Sequence, residues 1–356
     1  MQIFFLSQIL FLLLFVTTFA QIPPGYYDAA GGLSGTALQS ALHNTIKNHT
    51  VVDYGSLYTW FQTTDMESGN VVRDMYSDVP GGTPPYVYHY NSGDECGNYG
   101  GEGACYNREH SWPKSWFGGE VSPMYTDLFH LYPTDGYVNN QRNNYPYGDV
   151  GSVTWTSLNG SRLGSCSDAG YTGTVFEPID DYKGDFARTY FYMSTRYYTE
   201  DNNWPGSPMT DGSQLKPWAL QVMLDWSAQD PVSEKETSRN NAVYQVQHNR
   251  NPFIDHPEFV NEIWGFPVGA RQNHGALSLK IFPNPCSEFC TVGMPSPVED
   301  QVPTIMIISM NGTIWYPEFR SAGPELTINM HSLPAGIYCL MLKSDQRIWY
   351  SRLVKE

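Results

Sequence analysis

The stretch Cys105-Tyr-Asn-Arg108-Glu109-His110-Ser-Trp-Pro113-Lys-Ser-Trp116 decides how this chain is read. It sets a carboxylate and an imidazole side by side, with an arginine before them and a proline three residues after. On a regular strand Glu109 and His110 would point to opposite faces. Pro113 disfavours helix at Trp112. The expectation is therefore a strand that bends at the Glu-His pair, which would let both side chains serve one site. A second polar cluster follows: Asp127-Leu-Phe-His130-Leu-Tyr-Pro133, then Val138-Asn139-Asn140-Gln141-Arg142-Asn143-Asn144. Together the clusters hold the parts of a metal-assisted attack on a phosphodiester. Carboxylate and amide oxygens are hard ligands suited to Mg²⁺ or Ca²⁺. An imidazole can take a proton from water near neutral pH. A guanidinium holds a phosphate in a fork.

Taken singly, each cluster has a plainer reading. Most Glu-His pairs are surface residues, and an Asn-rich run is usually a loop. Their order and spacing go further. The chain resembles the endonuclease I family through Cys105–Ser115, Asp127-Leu-x-His-Leu-x-Pro, Val138-Asn-x-x-Arg-x-Asn, Tyr147-Gly148, Phe176-Glu-Pro-x-Asp, Lys183-Gly-Asp-x-Ala-Arg-x-Tyr-Phe-Tyr-Met and Asn249-Arg-Asn-Pro-Phe-Ile-Asp. The resemblance spans roughly residues 35 to 265. It implies an α+β, mainly helical nuclease domain with a ββα-metal (His-Me finger) element and sequence-non-specific cleavage of DNA, with RNA as a further candidate substrate. Glu109 and Asn139 would hold Mg²⁺ (or Ca²⁺ or Mn²⁺), and His110 would be the general base leaving a 5′-phosphate product. Arg142 would contact phosphate at the catalytic centre, with Arg108, Asn143 and Arg250 as substrate-binding candidates. Two positions depart from the family pattern: Phe129 stands where an imidazole is common, and His248 where glycine is usual.

Residues 1–20 read as a signal peptide. Ile3 to Phe19 is strongly apolar, and Thr18-Phe19-Ala20 places small residues at the −3 and −1 positions of a cleavage site. The alternative is a membrane anchor, for which the run is near the lower length limit. No later stretch is long and apolar enough to span a bilayer. Six cysteines divide three and three. In an oxidising compartment Cys96 and Cys105 could close a short Gly-rich loop beside the Glu-His pair. The odd count in each half leaves a free thiol per half or a bridge between halves. A Cys/His zinc site is disfavoured by the absence of CxxC or HxxxH spacing.

Charge runs against the usual footprint of a nucleic-acid binder. Residues 21 to 274 carry 14 Lys+Arg against 29 Asp+Glu, whereas residues 275 to 356 carry 6 against 7. A local answer is that Arg108, Lys114, Arg142, Arg162 and Arg250 line one groove, giving weak, strongly salt-dependent substrate binding.

Helices are expected over residues 34–47, from Asp181 to Tyr198, from Leu215 to Trp226, from Glu234 to Gln247 behind a Ser233/Glu236 capping box, and from Glu258 to Trp264. Tyr86 to Asn91 reads as a strand. Tyr125 to Leu131 reads as the start of the helix that would carry Asn139. On the Asp181–Tyr198 helix, Phe186, Tyr190, Met193 and Tyr197 make a core stripe, and Arg188 is a candidate core ion-pair partner. The chain divides into a nuclease domain over 21–268, a linker over 269–276 and a tail over 277–356. The tail alternates like an all-β sandwich. Its Phe282-Pro-Asn-Pro opening and Leu333-Pro-x-Gly-x-Tyr ending resemble the C-terminal sorting domain of the type IX secretion system; a carbohydrate-binding sandwich is the competing reading. These features imply a monomer with no stable membrane span after signal cleavage, secreted through the periplasm to the exterior or the cell surface. Its partners would be nucleic acid and the type IX machinery. The two rival functions are a secreted ribonuclease of the same family and a non-catalytic surface protein that binds nucleic acid or mediates adhesion.

Overall fold

A computed structural model describes residues 22–265 and 279–356, apart from residues 92, 97–99, 294–303, 310–313, 323–324 and 345–346. The signal-peptide and linker expectations lie outside the described residues. The nuclease part begins with α1 (Gly35–Ile46) and α2 (Leu57–Thr64), followed by strand β1 (Tyr106–His110). After a long excursion come β2 (Leu131–Asp135) and α3 (Gly136–Arg142). A three-stranded antiparallel sheet follows, in order β3 (Val150–Thr156), β4 (Arg162–Cys166), β5 (Thr174–Glu177). Helices α4 (Lys183–Arg196), α5 (Pro217–Gln229), α6 (Glu234–Gln247), α7 (Pro252–Asp255) and α8 (Glu258–Ile263) complete it. The tail is two four-stranded antiparallel sheets around their own apolar core, which includes Val292, Ile307, Leu326, Leu340 and Leu353. Their spatial orders are β6 (Lys280–Phe282), β7 (Phe289–Gly293), β11 (Glu325–Asn329), β10 (Phe319–Ala322), and β9 (Ile314–Trp315), β8 (Thr304–Ser309), β12 (Gly336–Ser344), β13 (Arg347–Lys355). Among the described residues, no helix is long and apolar enough to cross a membrane.

The core of the nuclease part is built on α4. The expected stripe of Phe186, Tyr190, Met193 and Tyr197 is fully buried, and so is nearly every other residue of the helix. A helix covered on all sides must pair its charges, and Arg188 does so, donating from Nε and Nη2 to Glu236 at 2.5 and 2.8 Å. Glu236 also closes the capping box with Ser233 at the head of α6. One residue thus joins a helix start to the central helix.

Two local expectations fail. Tyr125–Leu131 does not begin a helix. Met124–Thr126 forms a single 3-10 turn, the chain turns again through His130, and Leu131 enters β2. The helix starts at Gly136, where Asp135 caps it by accepting the Val138 N–H at 2.7 Å. Tyr86–Asn91 forms only an isolated bridge, Val71 to His89. Its aromatic rings are used in packing instead, as Tyr88 and Tyr90 are buried around Tyr106. The sheet of β3, β4 and β5 was not foreseen. The β3 surface is mostly exposed, so it lacks the apolar alternation that marks a half-buried strand.

Candidate active site

Strand β1 pairs with β2 in antiparallel register from Tyr106 opposite Asp135 to His110 opposite Leu131. The strand stays regular through the Glu-His pair, so the expected bend does not occur, and the two side chains enter separate environments.

The face that carries Glu109 is closed. Glu109 is only 2 % exposed. Its Oε1 accepts from Tyr76 Oη at 3.0 Å and from Arg142 Nη1 at 2.9 Å. Its Oε2 carries no hydrogen bond among the described residues. Arg142 is wholly buried on α3 and spends its donors inside the fold: Nη1 also bonds the His110 carbonyl at 3.0 Å, and Nη2 bonds the Ser111 carbonyl at 2.6 Å and Tyr190 Oη at 3.1 Å. Its guanidinium lies 4.5 Å from the centre of the Tyr147 ring. Burial pushes the Glu109 carboxyl up to about 7, against the opposing pull of Arg142 and Tyr76. Asn139 lies three residues before Arg142, on the same side of the helix. It is half-buried, and its side-chain amide makes no hydrogen bond among the described residues.

The N-terminus of α3 is tied to the cysteine loop. Cys96 and Cys105 form a disulfide with Cα atoms 5.4 Å apart. The Cys105 carbonyl accepts the Gly136 N–H at 2.9 Å, and Asp135 accepts the Gly103 N–H at 2.7 Å. Gly103 sits at φ +82, where a side chain would be strained and would press on the Tyr86 ring. The helix bearing Asn139 and Arg142 is therefore registered against the loop that precedes Glu109. Cys166, Cys286, Cys290 and Cys339 are free thiols.

The face that carries His110 is aromatic and half-open. His110 Nε2 lies 2.9 Å from the Tyr125 carbonyl, so this nitrogen bears the proton and Nδ1 keeps its lone pair. The imidazole stacks on Tyr125 at 5.3 Å and 12°, and Tyr125 stacks on Tyr54 at 4.4 Å. Burial lowers the His110 pKa to about 3. Nearby His130, Lys114 and Arg108 act in the same sense, and the Tyr125 carbonyl opposes them. The ring is neutral at physiological pH. Arg108 sits on the same strand face, its guanidinium 4.1 Å from the Tyr54 ring centre and 4.6 Å from Tyr58.

The remaining candidates scatter. Asn143 is exposed and ends α3 at φ 52. Arg250 is 1 % exposed and bonded to Asp255 and Asn241, none of which touches the Glu-His pair. The five cations do not line one groove. Arg142 and Arg250 are interior, Arg162 is paired with Glu177 at 2.6 Å, and Lys114 pairs with Glu120 at the surface. Only Arg108 and Lys114 flank His110.

Both departures from the family pattern acquire a physical reading. Phe129 is buried against Tyr192 at 4.6 Å and is not among the rings around His110; His130, 5.4 Å away, is. His248 caps α6 in the left-handed region at φ 62, a conformation that favours glycine, and its Nδ1 lies 3.0 Å from Thr50 Oγ1. Sequence reasoning missed Tyr76, Tyr190 and Tyr125. Tyr125 acts through its carbonyl, which no residue type announces.

The Endonuclease I family model matches residues 34–258, and a secretion-system C-terminal sorting domain matches residues 280–356. The chain is 39 % identical over 246 residues to an extracellular ribonuclease of Bacillus amyloliquefaciens, covering 67 % of this chain and 78 % of that protein. A Bacillus subtilis extracellular ribonuclease is 37 % identical over 246 residues with the same coverage. A periplasmic deoxyribonuclease of Aeromonas hydrophila is 28 % identical over 138 residues, 38 % of this chain and 50 % of that protein. With closed carboxylate, open imidazole and matching blocks in order, the chain belongs to the endonuclease I family and carries a C-terminal secretion sorting domain.

Proposed function

We propose that the protein is a secreted, divalent-metal-dependent endonuclease in which the two faces of β1 divide the work of phosphodiester hydrolysis. The strand–strand–helix run of β1, β2 and α3 is read as its ββα-metal element. The observation that carries this reading is the His110–Tyr125 hydrogen bond. It fixes one tautomer and leaves the Nδ1 lone pair to accept a proton from water. Water deprotonated there attacks phosphorus, and the leaving 3′-oxygen departs, giving a 5′-phosphate product. Arg108, held against Tyr54 and Tyr58 on the same strand face as the base, contacts a non-bridging phosphate oxygen.

On the other face, Glu109 Oε2 and the half-buried Asn139 amide oxygen are unbonded hard donors, the ligand type that suits Mg²⁺, Ca²⁺ or Mn²⁺. A cation held there supplies Lewis-acid stabilisation of the charge that develops on the phosphate. Arg142 orients Glu109 and holds the backbone carbonyls of His110 and Ser111, so its role is positioning rather than phosphate contact. Asn143, exposed at the end of α3, borders the same region.

RNA is favoured over DNA as the main substrate, because the two ribonuclease-named relatives match more of the chain at higher identity than the deoxyribonuclease does. The sorting domain directs the nuclease, read here as a monomer, through the type IX route to the exterior. The test compares initial rates on single-stranded RNA and duplex DNA with Mg²⁺, Ca²⁺, Mn²⁺ and chelator. Cleavage that chelator abolishes, faster on RNA, is expected. Cleavage that persists in chelator would remove the metal, and faster DNA cleavage would reverse the preference.

A further inference from the structure

We infer that His130 is the positioning residue of the general base: it holds both the backbone and the ring of His110 in place. The inference rests on the reading of His110 as that base.

His130 is fully buried and anchored in two directions. Its ring donates from Nε2 to the Met124 carbonyl at 2.7 Å. The next carbonyl along, that of Tyr125, receives His110 Nε2. Two consecutive carbonyls of one 3-10 turn are thus each taken by an imidazole. The His130 carbonyl, in turn, accepts both the N–H and the hydroxyl of Ser111, at 2.9 and 3.1 Å. Ser111 directly follows His110. His130 therefore grips the backbone just past the base, while its ring sets the turn that orients the base.

That turn is packed at its two ends, where Met124 and Thr126 are buried, and is least covered at Tyr125 between them. It is three residues long, and its stacked tyrosines, Tyr125 on Tyr54, are half-buried. A shift of the Tyr125 carbonyl would release His110 Nε2 and let the tautomer exchange, which would take the lone pair away from Nδ1. Asp127 and the Trp112 backbone also act on the His130 ring, but the bond that reaches the turn is the one it donates to Met124. A group that donates from the same place should replace it, and a ring that cannot donate should not.

The experiment makes His130→Gln and His130→Phe in the full chain. It measures kcat and KM on RNA, thermal unfolding, and the imidazole ¹⁵N shifts of His110. His130→Phe keeps the ring volume and removes the donor; His130→Gln restores a donor. For His130→Phe the expectation is a kcat lower by about tenfold to a hundredfold, KM within about twofold, and ¹⁵N shifts that report mixed tautomers. For His130→Gln the expectation is most of the wild-type kcat and the single Nε2–H tautomer. Wild-type kcat in His130→Phe would overturn the inference, as would equal losses in both variants. Should His130→Phe not fold, His130→Leu, which also lacks the donor, takes its place: mixed tautomers are expected, and the single Nε2–H tautomer would overturn the inference. A wild-type protein without nuclease activity would instead sink the functional reading, and the ¹⁵N shifts would still judge the role of His130.

Discussion

On one side of β1, Glu109 is sealed against Arg142, Tyr76 and their tyrosine neighbours. On the other, His110 stands half-open between Tyr125 and Arg108. Adjacent residues of one strand thus occupy opposite electrostatic regimes. The closed face is ionic: Arg142 meets a carboxylate and two carbonyls. The open face is aromatic, and its arginine has no carboxylate within ion-pair reach among the described residues. A buried arginine that loses its partner is expensive, whereas an arginine resting on tyrosines is free to meet a phosphate. The same residue type is therefore structural on one face and available to substrate on the other.

Exchanging these two arginines should break the comparison most visibly. Arg142→Met removes the ion partner of buried Glu109 and a donor from each of the His110 and Ser111 carbonyls, and should cost about 3–5 kcal/mol in denaturant unfolding. Arg108→Gln should change stability by less than about 1 kcal/mol, because its ring contacts are partly exposed. Equal losses from the two would erase the distinction between the faces.

Next in size is an acid effect from behind the open face. Asp127 accepts from Tyr192 and Tyr197, both at 2.8 Å, and from Gln247 at 3.0 Å. Burial alone would raise its pKa. His49, His130, the Gln247 amide and the Phe129 N–H outweigh that and hold it at about 2, below the ordinary 3.8. The folded value is depressed, so the stabilisation is present above pH 3.8 and is lost as pH falls through about 2. It amounts to about 2 kcal/mol. Urea unfolding between pH 4 and pH 2 should reveal that loss in the wild type and not in Asp127→Asn. A parallel loss in both would assign it elsewhere.

How much of this was legible in advance differs between the faces. Glu109, His110, Asn139 and Arg142 stand out because their types and spacing announce chemistry, and helix α6 is marked by its capping box. The burial of Arg142 and Arg250 is not legible, since an arginine reads the same whether it meets a phosphate or an interior carboxylate. The base's partner is a backbone carbonyl, which sequence does not encode by residue type. The family's order of elements calls for a helix carrying Asn139 but does not mark where it starts; Leu128 and Leu131 are buried in a segment too short to propagate a helix.

The smallest expected effect is on salt dependence, and it corrects the groove of five cations. With Arg108 and Lys114 as the cations flanking His110, about two phosphate contacts are available, so log(1/KM) on RNA should fall against log[salt] with a slope of about −1.4. Arg108→Gln should raise KM several-fold and bring that slope to about −0.7. A slope of about −4 or steeper would mean that other cations engage the substrate.

The central claim is that the two faces of β1 do separate jobs, and one paired measurement tests it most directly. Calorimetric Mn²⁺ titration and RNA cleavage are recorded on His110→Ala and Glu109→Gln, each checked for folding. The account predicts that His110→Ala binds Mn²⁺ like the wild type and cleaves about 10²- to 10⁴-fold more slowly, while Glu109→Gln loses Mn²⁺ binding. His110→Ala cleaving at the wild-type rate, or losing the metal as fully as Glu109→Gln, would contradict it.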